Sequence, residues 1–266
     1  MHGWYRVNLL RVTVLLLILP GAVLADITPA FGAARSKDAS RPRIALIIDD
    51  LGNLGPAGER TVELDGPVAC AILPHTPFAR VIARQAHAAG KEVLLHLPLE
   101  PVEYPVRIHI GTIVLDNTQT QLAQIFDANL SSVPHAVGVN THMGSLLTRH
   151  PGHMDWLMGE LQRRGDLFFV DSYTTASSVA LQLAREHEVP ATRRDVFLDN
   201  DPARAAIDAE FRRLKHLARL NGTAVGIGHP YDATLSYLEE ALARLEEEGF
   251  ELVPLVRVMD RYSEGM

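Results

Sequence analysis

The chain has 266 residues, of which 47% are hydrophobic and 21% are charged, and its formal net charge at pH 7 is −7. An acidic chain without a block of basic residues is a poor candidate for binding nucleic acid. Residues 43–266 are numerous enough for one domain with a full-sized hydrophobic core.

The first 25 residues have the pattern of a secretory signal peptide. Arg6 and Arg11 precede an apolar run from Val12 to Leu19, and the segment ends in the small-residue pattern of Val23 to Ala25. A signal anchor is the alternative, but Pro20 interrupts an apolar stretch that is shorter than the roughly 20 residues of a membrane span. The sequence predicts cleavage after Ala25 and a periplasmic or extracellular protein.

Cleavage would make the mature chain more acidic. Residues 1–25 contain two arginines and no acidic residue, so 25 − 2 = 23 basic residues remain against 32 acidic ones, a net charge of −9. No later segment has the length and apolarity of a membrane span. Residues 26–42 lack hydrophobic periodicity and are interpreted as a flexible leader. The only cysteine, Cys70, has no partner for an intrachain disulfide, and its apolar surroundings favour a role in packing.

Short apolar segments recur along residues 43–266 and predict eight strands. They are residues 43–48, 68–73, 92–97, 136–140, 167–171, 196–199, 223–228 and 250–255. Amphipathic segments lie between most of them and predict helices. These are residues 77–90, 118–130, 153–165, 203–222 and 236–249.

Apolar strands that alternate with helices indicate a parallel sheet covered by helices. Seven or eight such units predict the α/β class and a distorted (β/α) barrel of seven to eight parallel strands. A doubly wound open sheet is the alternative. The longest segment without periodicity, residues 98–117, follows a strand end and is a candidate substrate loop.

Polar side chains that bind metals or transfer protons stand at most of the predicted strand ends. They are Asp49, Asp50, His75, His96, Glu100, Asn140, His142, Asp171, Asp199 and His229. Each one alone could be an ordinary cap or turn residue. Together they are more informative, because the carboxyl ends of parallel strands meet at one rim.

One carboxylate and two imidazoles form a common catalytic metal site. Asp50, His96 and His142 could supply that set, with zinc as the expected divalent metal. Asp49 is then a candidate general base and His229 a candidate general acid.

Six motifs resemble the divergent polysaccharide deacetylases, relatives of the carbohydrate esterases. They are IALIIDDLGN (44–53), LLHLPLEP (94–101), GVNTHMGS (138–145), FFVDS (168–172), FLDND (197–201) and GIGHP (226–230). The resemblance spans nearly the whole domain and implies a deacetylase-like barrel over residues 43–266. It also implies polysaccharide or peptidoglycan-type glycan as the partner.

The same resemblance implies roles for single residues. The paired aspartates of the family match Asp49 as base and Asp50 as metal ligand, and the late histidine acid matches His229. The second histidine of the family's metal motif is replaced here by Glu100. Either Glu100 or His142 must therefore complete a three-ligand site, and His142 is preferred.

Four further positions in these motifs are candidates for binding substrate or supporting the site. They are Asn140, Ser145, Asp171 and Asp199. The leading hypothesis is a metal-dependent hydrolase that removes acyl groups, above all N-acetyl groups, from an envelope polysaccharide. The alternative is a non-catalytic exported module that uses the same rim to bind glycan or an envelope protein.

Overall fold

The structure, a computed structural model, describes residues 1–2, 41–103 and 109–262. The predicted signal peptide and leader lie outside the described residues, except for residues 1, 2, 41 and 42. Their cleavage and export therefore stay predictions.

Within the described ranges, nine parallel strands form one sheet. They are β1 Arg43–Leu51, β2 Ala69–Ile72, β3 Val93–Leu99, β4 Ala136–Met143, β5 Phe168–Asp171, β6 Ala191–Arg193, β7 Val196–Phe197, β8 Thr223–Gly228 and β9 Glu251–Leu252. Their order is β6-β5-β4-β3-β2-β1-β8-β7, and β9 pairs with the start of β1.

The two ends of this order, β6 and β7, belong to one extended segment. Between them, the backbone N–H of Arg194 donates to the carbonyl of Asp171 in β5 at 3.0 Å, and that of Asp195 donates to Val225 in β8 at 2.9 Å. The segment thus leaves β5 and joins β8 within two residues. This connection wraps the sheet into a distorted (β/α) barrel and confirms the predicted fold class.

Seven α-helices lie in the described part of the chain. They are α1 Gly55–Glu63, α2 Ala79–Ala88, α3 Gln119–Ser132, α4 Pro151–Arg164, α5 Ala180–Glu186, α6 Arg204–Asn221 and α7 Asp232–Leu245. Local sequence explains several boundaries: Thr118 and Gln121 form a capping box at the start of α3. Gly165 and Gly222 end α4 and α6 with positive φ angles of 76° and 77°, a conformation that costs glycine little.

Two apolar clusters hold the layers together. The larger one packs the outer face of the sheet against the helices, with Phe126 and Phe211 nearly inaccessible to solvent. The smaller one fills the barrel interior. It combines strand residues such as Ala45, Ile47 and Val225 with residues of the C-terminal segment 253–259, which are Val253, Leu255, Val258 and Met259. That segment contains a 3₁₀ helix, Leu255–Tyr262, which lies near the starts of β1 and β3, where it contacts Arg43 and Glu92.

All eight predicted strand segments contain a strand, but two are much shorter than predicted. The segment 196–199 forms only the two residues of β7, and 250–255 forms only β9. Sequence reasoning missed β6, α1 and α5. Among the described residues, no helix combines the length and apolarity needed to cross a bilayer.

Candidate metal centre

The alternation of side chains along the strands carries polar groups to the carboxyl end of the barrel. In β1, Ala45 and Ile47 belong to the inner core, and Asp49 follows at the same spacing. In β8, Ile227 belongs to the inner core and His229 comes two residues later. The same periodicity that fills the interior with apolar groups therefore ends in polar groups at its mouth.

Strands β3 and β4 bring two histidines to the same mouth. Their register sets His96 opposite Asn140 and Pro98 opposite His142. His96 is 2% exposed and His142 is 8% exposed. Buried imidazoles need polar partners, because an unpaired polar group in the interior is costly.

Asp50 reaches the mouth through an irregularity in β1. Its φ angle is +57°, and the pairing of β1 with β2 shifts register between Ile48 and Leu51. A left-handed conformation is uncommon outside glycine, although aspartate tolerates it better than most residues. The bulge lets Asp49 and Asp50 approach the same imidazole, with carboxylate oxygens 3.6 and 3.2 Å from Nε2 of His96.

Three potential ligand atoms converge on one point. Asp50 Oδ1 lies 2.9 Å from His142 Nδ1 and 3.2 Å from His96 Nε2, and the two ring nitrogens are 3.1 Å apart. Asp50 Oδ1 is buried yet accepts no well-formed hydrogen bond. A buried carboxylate oxygen without a donor, facing two ring nitrogens, is the arrangement expected of a cation site.

The geometry fits a small divalent metal. Bonds of about 2.0–2.1 Å at tetrahedral angles put ligand atoms roughly 3.3 Å apart, close to the spacings seen here. Burial lowers the pKa of His142 to about 4, against the opposing effect of Asp50. Burial acts to raise the pKa of Asp50, but the neighbouring His142 and His96 outweigh it and hold that pKa well below its usual range. A neutral imidazole and an ionised carboxylate are the forms that bind metal.

Asn140 connects the metal centre to Asp49. Its Oδ1 lies 2.9 Å from His96 Nδ1, and its Nδ2 donates to Asp49 Oδ1 at 2.7 Å. Because the amide oxygen can only accept, His96 carries a proton on Nδ1, and Nε2 is the ring nitrogen that faces the centre. Asn140 thereby fixes both the tautomer of His96 and the position of the Asp49 carboxylate.

Asp49 is almost fully buried, with 2% of its surface exposed. Burial raises its pKa above the ordinary value, and it outweighs the opposing charges of His96 and His229. A carboxylate with a raised pKa holds a proton more readily than a solvated one, which suits a proton acceptor.

His229 forms a charged pair with Asp199. Its Nδ1 lies 2.9 Å from Asp199 Oδ1, and its backbone N–H donates to Asp199 Oδ2 at 2.6 Å. Thr234 also donates to that carboxylate, at 2.8 Å. Burial lowers the pKa of His229, but the hydrogen bond and charge of Asp199 outweigh it and raise the pKa to about 9. Nε2 of His229, 4.0 Å from Asp50 Oδ2, therefore presents a proton to the centre.

Glu100 and Ser145 stabilise loops and do not face the centre. Glu100 Oε2 accepts a hydrogen bond from the backbone N–H of Leu115 at 2.6 Å. Ser145 Oγ accepts one from the backbone N–H of Val102 at 3.0 Å. Of the two alternatives for the third ligand, the structure brings His142 to Asp50 and His96 and directs Glu100 to the predicted substrate loop.

Asp171 and His75 also stand apart from the converging groups. Asp171 accepts hydrogen bonds from Ser178 Oγ at 2.7 Å and from the backbone of Tyr173 at 2.8 Å. His75 Nε2 contacts Asn129 Oδ1 at 2.9 Å. Asp171 therefore acts in the local turn that follows β5, whereas His75 joins the loop after β2 to helix α3.

Sequence reasoning missed His109 near the centre. Its ring packs edge-on against His142, with ring centroids 4.5 Å apart. His109 lies inside the candidate substrate loop, so no strand-end pattern pointed to it. Arg194 also lies near the centre: it donates to the carbonyls of Ser172 and Tyr173, and burial lowers its pKa to about 10 against the opposing charges of Asp171 and Asp49.

Comparisons with known proteins identify the same family that the sequence motifs resemble. A family model described as divergent polysaccharide deacetylase matches residues 46–259. An uncharacterized Escherichia coli K12 protein, YibQ, is 34% identical over 203 residues, which cover 76% of this chain. The chain spans 63% of the length of that relative.

Two solved structures have a similar fold. An uncharacterized protein from Agrobacterium tumefaciens C58 aligns with a TM-score of 0.79 at 22% identity, covering 83% of this chain and 90% of its own. A CE4-family pseudoenzyme from Bacillus anthracis aligns with a TM-score of 0.51 at 11% identity, covering 83% and 66%. At these identities the likeness concerns the fold alone.

Proposed function

The chain belongs to the divergent polysaccharide deacetylase family, and we propose that it is a metal-dependent hydrolase that removes acyl groups from an envelope polysaccharide. N-acetyl groups of amino sugars in a peptidoglycan-type glycan are the first candidates for release. The observation that supports this most is the convergence of Asp50, His96 and His142 within 2.9–3.2 Å beside a buried carboxylate and a protonated histidine.

In this proposal Asp50, His96 and His142 hold one divalent metal, and zinc is the expected ion because imidazole and carboxylate ligands in a small site suit it. When bound, the metal supplies Lewis acidity that polarises the acyl carbonyl. Asn140 keeps the Nε2 lone pair of His96 directed at that position.

Asp49 is the proposed general base. It accepts a proton from water as the water oxygen adds to the acyl carbon, and its buried position favours the protonated product of that step. The hydrogen bond from Asn140 holds the carboxylate in place during the transfer.

His229 is the proposed general acid. It donates its Nε2 proton to the amine nitrogen as the C–N bond breaks, so that a carboxylic acid and a free amine leave. Asp199 keeps the imidazole protonated beforehand and fixes Nδ1 as the second proton-bearing nitrogen.

The test measures bound zinc and acetate release from chitin-like oligosaccharides and peptidoglycan by the same preparations. Asp49→Asn should retain zinc and lose at least about 100-fold in turnover, because a general base typically contributes that much. Asp166→Asn, an exposed position outside the centre, is the matched control and should be active. Full turnover by Asp49→Asn would exclude Asp49 as the base.

A second candidate function is binding without catalysis. The Bacillus anthracis pseudoenzyme shows that this fold occurs without activity, and Glu100 replaces a histidine of the family's metal motif. In this case the rim holds glycan or an envelope protein. Protein that contains no metal, releases no acetate and binds glycan equally with and without chelator would favour this candidate.

The proposed substrate requires an exported protein. The pattern of residues 1–25 supports export to the periplasm or beyond. Fractionation of expressing cells, followed by N-terminal sequencing, should give a mature chain that starts at Asp26 outside the cytoplasm. Full-length protein confined to the cytoplasm would contradict this.

A further inference from the structure

A cavity of about 210 Å³ opens directly beside the candidate metal centre. It lies between the loop that follows β1 and the loop that follows β8. Asp50, Asn53 and His229 contribute its polar side chains, together with the hydroxyl of Tyr231. The remaining wall is largely apolar and includes Leu51, Leu54, Ala57 and Pro230.

The position of the cavity fixes which part of a substrate can enter it. Asp50 belongs to the candidate metal centre, and its Oδ2 is 4.0 Å from Nε2 of His229. A carbonyl group held between these residues has one substituent directed into the cavity. The other substituent points toward the open mouth of the barrel, where a polymer has room to continue.

The chemistry of the wall favours an acyl chain over a sugar ring as the occupant. Leu51, Leu54, Ala57 and Pro230 have no side-chain hydrogen-bonding groups, so sugar hydroxyls placed against them would lose their bonds to water without replacement. A hydrocarbon chain loses nothing there and removes apolar surface from water.

The volume favours a chain longer than acetyl. An apolar cavity of about 150 Å³ is enough to hold benzene, a molecule of six carbons. The single methyl of an acetyl group would leave most of the 210 Å³ cavity without contacts.

The mouth of the cavity carries exposed apolar side chains that a longer chain would cover. Leu54 is 68% exposed and Tyr231 is 49% exposed, and both line the cavity. Large apolar side chains that meet at the entrance of an apolar cavity are expected at ligand sites.

We propose that this cavity is an acyl pocket and that the chain acts on glycans bearing acyl groups of about four to six carbons in preference to acetyl. The inference rests on the proposed function for the position of the carbonyl, and for the same site it replaces N-acetyl by longer N-acyl groups as the preferred substrate. It assigns Leu54 and Ala57 as residues that determine specificity.

The test uses straight-chain hydroxamates from acetohydroxamate to hexanohydroxamate, with binding measured by calorimetry in the presence and absence of added zinc. Each methylene that enters the pocket should tighten binding about fourfold, up to about six carbons. The gain per methylene needs no metal, because it comes from the pocket wall. Affinities that stay equal along the series in both conditions, or that are highest for acetohydroxamate, would overturn the inference.

Matched variants locate the effect. Leu54→Ser should reduce the gain per methylene at the pocket mouth, and Ala57→Leu should shorten the chain that binds best. Leu220→Ser is the control, since Leu220 is 67% exposed and lies on α6 outside the cavity. If Leu54→Ser and Leu220→Ser reduce the gain per methylene equally, the hydrocarbon chain of the hydroxamate does not bind in this cavity, and the inference is overturned.

Failure of the inference and failure of the proposed function give different results. If hydroxamate affinity rises with chain length but the protein cleaves no acyl amide, the acyl pocket is supported and the proposed catalysis is rejected. If the protein releases acetate at full rate but hydroxamate affinity does not change with chain length, the catalysis is supported and the acyl pocket is rejected.

Discussion

Asp49 and Asp50 are neighbours in sequence, yet the fold gives their carboxylates opposite properties. Asp49 is buried below the mouth of the barrel, and burial raises its pKa. The Asp50 side chain is 33% exposed, and burial raises its pKa less than His142 and His96 lower it. The left-handed conformation of Asp50 separates the two environments within one peptide unit. Two identical side chains can therefore take the separate roles of base and ligand.

Asn140 should increase the zinc affinity of the centre through its hydrogen bond with His96, although it is not itself a ligand. Asn140→Leu removes the acceptor that fixes the tautomer of His96, and loss of such a partner typically weakens metal binding about 10–100-fold. Competition with a fluorescent chelator measures the zinc affinity. Asn221→Leu, at the exposed end of α6, is the control. Unchanged zinc affinity in the Asn140 variant would contradict the role assigned to it.

His142 and Glu100 can be separated by substitution. His142→Ala should abolish stoichiometric zinc binding, because it leaves two ligands at the centre. Glu100→Gln should retain zinc, since its carboxylate contacts the backbone of Leu115. Metal analysis by mass spectrometry under native conditions distinguishes them. Retained zinc in the histidine variant, with loss in the glutamine variant, would reverse the assignment.

At the scale of elements, the long apolar runs predicted strands well because strands buried on both faces are apolar over most of their length. The strand β6, Ala191–Arg193, has only three residues, two of them polar, and gives no such signal. Helix α1 begins with Gly55 and Pro56, and its buried residues are Gly55, Gly58 and Thr61, so no row of large apolar side chains marks it in the sequence. Short elements that depend on tertiary contacts are the ones that sequence patterns miss.

The positions of polar residues at the strand ends indicated the ligands of the candidate centre and favoured His142 as the third, with Glu100 left as the alternative. By alternation alone, Glu100 shares a face with His96. The choice depends on where β3 stops: it ends at Leu99, and the chain then pairs with Ile113. That turn directs the Glu100 carboxylate to the loop, and it depends on residues far along the chain.

Lys91 shows how one side chain can join two elements. It is 7% exposed, and its Nζ donates to the carbonyls of Leu64 and Gly66 at 2.6 and 2.7 Å, in the turn between α1 and β2. Lys91→Met should lower the free energy of unfolding by about 1–3 kcal/mol, because buried carbonyls lose a charged donor. Urea denaturation measures the change.

The control for Lys91 is the surface pair of Arg213 and Glu210, which are 3.1 Å apart and whose side chains are 60% and 38% exposed. Arg213→Met should cost no more than about 1 kcal/mol, as expected for an exposed ion pair. Equal losses in both variants would mean that the bonds of Lys91 to the turn contribute no more than a surface contact.

At the scale of the whole molecule, the C-terminal segment completes the barrel core. Val258 is 1% exposed and belongs to the inner cluster, whereas Val256, in the same 3₁₀ helix, is 56% exposed. Val258→Ala should lower the free energy of unfolding by about 1–3 kcal/mol. Val256→Ala should change it by less than about 0.5 kcal/mol. Equal effects would mean that the segment does not fill the interior in solution.

Metal binding should stabilise the entire domain, because its ligands come from β1, β3 and β4 and meet only when the barrel is folded. Zinc at 100 times its Kd should add about 2.7 kcal/mol to the free energy of unfolding, which corresponds to a rise in Tm of roughly 5–10 °C for a domain of this size. Calcium should give little rise, because it prefers six or more oxygen ligands. Asp50→Asn should remove the zinc effect, as measured by scanning calorimetry. A zinc-dependent rise that persists in this variant would place the stabilising ion at another site, since the amide is a much weaker zinc ligand than the carboxylate that joins the three strands.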